Sequence, residues 1–313
     1  MTPFPVVDGH VDLLYFLMQR FPRVPFDQVR EGGLTRETFA QGNVRILASA
    51  HYIPDSYNGP GNSSWFLEQL LEYAKTYCPG LEVLRTREAV SAAVETAGLP
   101  GVIRLLENAD ALLEWDVEEF KTLGFLTVGL THVGSNRVGD GNGVKTPRGL
   151  TPQGRTLVKA LDRQGFVLDV AHLSEPAFAE VARIFSGPLL ASHTGLRFFC
   201  NRVRNLSDDQ VRVVMERGGI IGITVAPEML TDSNKASVQT VYEHIDHLVD
   251  RYGPDQVALG TDFGGFDETC EGLETPGSFQ NLAALLLERG YREEAVAGIM
   301  GGNWVRFYQQ MLP

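Results

Sequence analysis

In the stretch VVDGHVDLL an imidazole and a carboxylate, His10 and Asp12, stand one residue apart just after a short apolar run. Residues i and i+2 of a β-strand point to the same side. The pair therefore presents nitrogen and oxygen donors to one point past a buried strand, as a metal site or as a polar strand end. The same pattern recurs along the chain. Glu107 ends GVIRLLE, His132 ends GFLTVGLTH, His172 ends GFVLDVAH, His193 ends GPLLASH, and Asp262 closes QVALGTD. A lone histidine after a strand is more often structural than functional. Here five of the seven histidines, His51 included, sit at such ends together with three carboxylates. Neutral imidazole and carboxylate without thiolate suit a hydrolytic Zn, Mn or Fe site. The donors outnumber what one tetrahedral ion needs, so a two-metal site with ions about 3.5–4 Å apart uses them better.

The elements that must position these residues read as an alternation. Eight apolar runs (FPVVDGH, VRILASAH, GVIRLLE, GFLTVGLTH, GFVLDVAH, GPLLASH, GIIGITV and QVALGTDF) are strand-length and nearly continuous. That is the signature of parallel strands buried on both faces. Amphipathic segments lie between them. Thr151 with Pro152 starts one helix, and Gly165 lies beyond its end. Ser174 precedes another, and Ser207 with Gln210 has capping-box spacing. Helices are also expected over Ser63–Tyr77, Thr86–Thr96, Val238–Tyr252 and the stretch from Phe279 to Leu312. Eight strands alternating with helices predict a (β/α)8 TIM barrel, with an open doubly wound sheet as the lesser alternative. Such barrels build their sites from the carboxyl ends of the strands. Two loops, IPDSYNGPGNSSW and VGSNRVGDGNGVKTPRG, would lie over that rim.

Bulk properties narrow the function classes. The 313 residues form one expected domain, 1–313, with 43% hydrophobic and 21% charged residues. A net charge of −12 argues against nucleic acid and against an anionic membrane surface. Three cysteines without a CxxC support neither a disulfide framework nor a thiolate zinc site. No signal-peptide pattern or membrane-length apolar run is present, so the expected location is cytoplasmic. His244 and His247, three apart on a predicted helix, read as solvated or capping residues, and nothing specifies a role for His51. No GxGxxG, Walker or GxSxG motif occurs, although Ser174 and Ser192 lie near histidines.

Several stretches, in order and spacing, resemble the renal (membrane) dipeptidase family of zinc peptidases, within the amidohydrolase-like barrels. They are DGHVDLL, THVGSNRVGDG, GLTPQGRTLVKALDRQGFVLDVAHLSE, PLLASHTGLRFFCNRVRNLSDDQVR, HIDHLVDRYGPDQVALGTDFGG and GGNWVRFYQQML. The resemblance covers nearly the whole chain. It implies two Zn²⁺ per chain, with Mn²⁺ or Co²⁺ as substitutes. His10 and Asp12 would bind the first, His172 and His193 the second, and Glu107 would bridge them. It implies that His132 lies over the substrate carbonyl, that Asp262 handles the proton of the attacking water, and that Arg204 pairs with the substrate's terminal carboxylate. The implied reaction is hydrolysis, by a metal-bridging hydroxide, of dipeptides with a free C-terminus, with a C-terminal D-residue tolerated. A related binuclear amidohydrolase acting on a non-peptide amide, lactam or ester is the alternative. A small-molecule dipeptide is the implied partner, and a homodimer the implied assembly. Two departures stand out. Asn108 follows Glu107 where the family usually has Gly, and GGIIGITVAPEML carries Thr224 and Val225 where Asn and an aromatic are expected. Both are expected to alter the pocket lining.

Overall fold

The computed structural model describes residues 2–268 and 270–313. The apolar runs form eight parallel strands in sequence order: β1 (Val6–Val11), β2 (Val44–Tyr52), β3 (Gly101–Glu107), β4 (Phe125–Gly129), β5 (Val167–Asp169), β6 (Leu189–Thr194), β7 (Ile221–Ile223) and β8 (Val257–Leu259). The Asp12 N–H donates to the Phe263 carbonyl (2.9 Å) and the Asp262 N–H to the His10 carbonyl (3.0 Å). These bonds bring the last strand back to the first, so the sheet is a (β/α)8 barrel and not an open doubly wound sheet. Strands β5, β7 and β8 have only three residues each. The remainder of each apolar run leaves the ladder at its carboxyl end and becomes rim.

One apolar cluster takes Val7, Ile46, Ile103, Leu126, Val167, Leu190, Ile220 and Ala258 with Trp304 and Tyr308. A cluster drawing one residue from each strand or its approach can only lie inside the barrel, where it forms a packed floor. Trp304 closes that floor from the last helix, Asn303–Met311, and its indole N–H donates to the Leu259 carbonyl at 2.7 Å. The larger apolar cluster lies between the strands' outer faces and the helices.

Helices occupy Asn62–Tyr77, Arg87–Glu95, Pro152–Arg163, Glu175–Ile184, Asp208–Glu216 and Val238–Tyr252. Thr151 caps the Gly154 N–H, and Ser207 with Gln210 makes a full capping box. Ser174 precedes its helix without a side-chain cap bond. The expected stretch Phe279–Leu312 is instead broken into Phe279–Glu288, Glu293–Ala297 and Asn303–Met311. Gly290, at φ +89°, ends the first piece. At Gly301 a Cβ would lie 2.8 Å from the Val7 nitrogen, so the chain presses backbone to backbone against β1 and redirects Trp304 into the floor. A further helix, Leu13–Arg20, directly follows β1. No helix among the described residues is long and apolar enough to cross a membrane.

The rim loops are tied to one another. Arg137 places its Nη2 2.8 Å from Asp110 Oδ2 and its Nη1 2.6 Å from Glu114 Oε1. Asp110 also accepts the Gly59 N–H (2.9 Å) and the Ser63 hydroxyl (2.8 Å). The segments after β2, β3 and β4 thus share one ionic hub, and its fully buried carboxylate is satisfied by hydrogen bonds from three directions.

Candidate metal centre and substrate cavity

The strand-end residues meet at the carboxyl mouth of the barrel. His10 Nε2 lies 3.7 Å from Asp12 Oδ2, 3.6 Å from Glu107 Oε2 and 3.9 Å from Asp262 Oδ1. Glu107 turns its other oxygen the opposite way: Oε1 is 2.9 Å from His172 Nε2 and 3.9 Å from His193 Nε2. Two groups with metal-ligating atoms within 4.8 Å of one another result, His10–Asp12–Asp262 and Glu107–His172–His193. Glu107 faces both.

Backbone strain marks the same places. His172 (φ +63°), Asp262 (φ +67°) and Asn108 (φ +77°) are non-glycine residues in the left-handed region, each at or next to a rim donor. Such residues cost about 1–3 kcal/mol each and persist where surrounding structure holds them. Asn108 shows why glycine suits this position, since asparagine is among the residues that tolerate positive φ. Its amide donates to the Ile53 carbonyl (2.8 Å) and Asn58 Oδ1 (2.7 Å), and its oxygen accepts from Asn136 Nδ2 (2.7 Å). It is fully buried and outside the cavity wall, so this departure fastens loops and does not change the pocket lining.

Two buried aspartates that sequence reasoning missed support the donors. Asp169 accepts the Ala171 and Ser192 N–H groups on Oδ1, each at 3.0 Å, and the Ser192 hydroxyl on Oδ2 at 2.5 Å. The single Ser192 proton goes to the carboxylate, so its oxygen must accept from His10 Nδ1 (2.9 Å) and His193 Nδ1 (2.8 Å). Both imidazoles then donate from Nδ1 and turn Nε2 to the cluster, where it can ligate a cation once it carries no proton. The grouping His10–Asp169–His193 is accordingly a hydrogen-bonded support with the Ser192 hydroxyl among its members. Asp8 does the same between β1 and β8: it accepts the His10 N–H (3.2 Å), the Thr261 N–H (2.8 Å) and the Thr261 hydroxyl (2.5 Å). The readable signal was an acid within an apolar strand run, with Ser or Thr immediately before a donor on the neighbouring strand.

Charge in the cluster is only partly compensated by protein. Burial pushes Asp262 well above the ordinary carboxyl range, helped by the Asp12 charge beside it. Burial likewise raises Asp12. Burial works against ionised Glu107, but His10 and His172 outweigh it and hold Glu107 well below the usual range. Burial opposes protonation of His10, yet Glu107 and Asp12 drive it well above the ordinary imidazole value. His172 is pushed down to about 3 by burial and by Arg204. The buried Asp12 and Glu107 and the partly buried Asp262 thus crowd one small volume, and His10 Nε2 and Asp12 Oδ1 are buried without a hydrogen-bond partner among the described residues. Buried charge is tolerated only when paired or bound to metal. These oxygen and imidazole donors fit divalent cations, with Glu107 placed to serve two of them.

Beside the cluster opens a cavity of about 720 Å³, lined by Tyr15, Tyr52, His132, Asn142, Arg204 and Glu228 among others. Arg204 Nη2 donates to the His193 carbonyl (3.2 Å) and lies 3.2 Å from His172 Nε2, next to the Glu107–His172–His193 group. His132 Nδ1 lies 3.3 Å from Asp55 Oδ2, an acid not foreseen from sequence. Burial opposes ionisation of Asp55, but the His132 bond and the Gly134 N–H hold its pKa below the ordinary value. All eight residues expected at the site therefore share one rim. His51 stays outside it, edge-on to Phe125 in the layer behind the sheet. His244 is not solvated: it is fully buried, accepts the Leu196 N–H (3.2 Å) on Nδ1 and reaches the Leu230 carbonyl (3.1 Å) with Nε2. His247, on the same helix as His244, packs against Phe198 from the segment after β6.

Comparison with known proteins follows this geometry. The family model for the membrane dipeptidases (peptidase family M19) matches residues 1–312. A crystal structure of a metallo peptidase from Rhodobacter sphaeroides, liganded with a phosphinate mimic of the dipeptide L-Ala-D-Ala, superposes with a TM-score of 0.88 at 25% identity over 99% of each chain. Mouse Dipeptidase 3 is 27% identical over 99% of this chain and 65% of its own length. Dipeptidase tcpJ of Claviceps purpurea is 33% identical over 61% of this chain and 46% of its own. The chain thus spans less than two thirds of either curated relative.

Proposed function

The chain belongs to the membrane dipeptidase family of metallopeptidases, and from that premise we propose that it is a metal-dependent dipeptidase that requires a free C-terminal carboxylate and accepts a D-residue there. The carrying observation is Glu107 standing between two donor groups, with Arg204 in the same cavity. His10 and Asp12 would hold one cation, His172 and His193 a second, and Glu107 both; zinc is the metal the family implies, and Mn²⁺ or Co²⁺ match the donors. Bound there, such ions acidify water toward neutral pH and polarise a carbonyl.

The chain's own groups supply the rest. Arg204 offers a planar fork of N–H donors to the terminal carboxylate and so sets the distance from that carboxylate to the scissile bond. Asp262, 3.9 Å from His10 Nε2 and in the cavity wall, is placed to take a proton from the attacking water and return it to the leaving amine. Asp55 steadies the His132 ring through Nδ1, leaving Nε2 for the substrate carbonyl oxygen as it gains charge. The phosphinate mimic of L-Ala-D-Ala held by the Rhodobacter relative supports acceptance of a D-residue. The test is steady-state hydrolysis of L-Ala-L-Ala, L-Ala-D-Ala and C-terminally amidated L-Ala-D-Ala by metal-loaded protein. Cleavage of the free acids with loss on amidation is expected. Failure on all three with metal bound would move the substrate outside dipeptides.

A further inference from the structure

Thr224 and Val225, the residues that set the segment GGIIGITVAPEML apart, do not line the cavity. Thr224, Val225 and Ala226 are fully buried, with the Thr224 hydroxyl donating to the Thr261 carbonyl at 3.1 Å. The segment reaches the cavity two residues later, at Glu228 and Met229 on the short helix Pro227–Leu230. That turn is fixed in place: Asn205 Nδ2 donates to the Met229 carbonyl at 2.7 Å, and His244 Nε2 reaches the Leu230 carbonyl at 3.1 Å.

Four carboxylates line the cavity. Asp12, Glu107 and Asp262 belong to the metal cluster, and Glu228 is the fourth. Glu228 is half-buried, and none of the hydrogen bonds or ion pairs among the described residues uses its carboxylate. The neighbouring arginines are engaged elsewhere. Arg202 Nη2 donates to Asn234 Oδ1 (2.8 Å), and Arg204 is turned to His172 and His193. A carboxylate in a partly dehydrated wall, with no partner among the described residues, is complementary to a cation brought by the ligand.

The position says which part of the ligand. Arg202, Val203 and Arg204 follow β6, and Glu228 and Met229 follow β7, so they form one contiguous wall. Tyr15, Gly264 and Gly265 stand on the side of β1 and β8. A dipeptide whose carboxylate sits on Arg204 lays its C-terminal side chain along that wall.

We propose that Glu228 pairs with a cationic side chain on the C-terminal residue, so that the enzyme selects dipeptides ending in a basic amino acid. This rests on the dipeptidase reading above. The exposed Val203 side chain offers apolar contact to the methylene stem of such a residue, and Glu228 receives its ammonium or guanidinium head.

The test compares kcat/KM for Ala-Lys, Ala-norleucine and Ala-Glu, each with an L- and a D-configured second residue, in the metal-loaded wild type, Glu228→Gln and Glu228→Lys. Lysine and norleucine share a stem and differ in charge, so their ratio is insensitive to metal loading and folded fraction. Wild type should favour Lys over norleucine by about ten- to a hundredfold, the worth of a charge-assisted hydrogen bond. Glu228→Gln should bring the ratio close to one, and Glu228→Lys should turn preference toward Glu. A wild-type ratio near one, or a ratio that survives in Glu228→Gln, overturns the proposal and leaves dipeptidase activity standing. A Glu228→Gln loss equal for all substrates would assign the carboxylate to the α-amine and overturn it too. No hydrolysis of any member removes the dipeptidase reading and this proposal with it.

Discussion

Ser192→Ala removes one oxygen and leaves three buried partners without it: His10 Nδ1–H, His193 Nδ1–H and Asp169 Oδ2. Each orphaned buried group costs about 1–3 kcal/mol, so the metal-free protein should lose roughly 3 kcal/mol of stability at the low end of that range. The larger consequence is for the donors. With no acceptor at Nδ1, the His193 ring becomes free to shift its proton to Nε2, the atom that faces the cluster, and the His10 ring loses the bond that fixes its orientation. Loss of such outer partners typically weakens metal binding by about 10–100-fold. Chelator competition with Zn²⁺ measures this directly, and ¹⁵N imidazole shifts in the metal-free protein report the tautomer. Ser192→Thr keeps the hydroxyl and should restore most of the affinity. Unchanged affinity and unchanged tautomers in Ser192→Ala, with the fold intact, would refute the idea that this hydroxyl sets the donors.

Arg204→Ala should raise KM for dipeptides and lower kcat/KM by about a hundredfold, the scale of a charge-assisted pair, with metal content intact; an unchanged KM removes Arg204 from substrate recognition. Asp262→Asn should cut kcat by about 10²–10⁴ while metal stays bound, and near-normal turnover would end its assignment to proton transfer. His132 loses its carboxylate partner in Asp55→Asn, so kcat should fall more than KM changes; an equal effect on both would point to a purely structural contact. Burial lowers the His244 pKa to about 4. Its unfolded value is about 6.5, so only the unfolded state takes up this proton in between, and stability falls as pH drops from about 6.5 to 4 by up to roughly 3 kcal/mol. Urea titrations at pH 7 and pH 4.5 should show a shallower loss in His244→Gln, and an identical slope would contradict the assignment.

What the sequence disclosed and what it hid divide along a physical line. Strands were legible because burial on both faces demands continuous apolar runs, and their number and alternation with helices leave few topologies. Donors were legible because a polar residue ending such a run has only the rim to occupy. The supports were not: Asp8, Asp169 and Ser192 lie within or beside those runs and look like ordinary strand-end polarity. Their partners, Thr261 for Asp8 and Ser192 for Asp169, are 253 and 23 residues away along the chain. Pairing of that kind is set by which strands close the barrel, which no local pattern states. The same reasoning accounts for the C-terminal helix that broke. Periodicity ran through Gly298–Gly302 unchanged, yet the contact that bends the chain there is with Pro5 and Val7, at the other end of the sequence. Glu228 was hidden for a third reason: a glutamate beside a proline is an unremarkable surface pair until the wall it belongs to is assembled from β6 and β7. A carboxylate that lines the cavity without a partner among the described residues is a statement about ligand charge that only the assembled barrel can make.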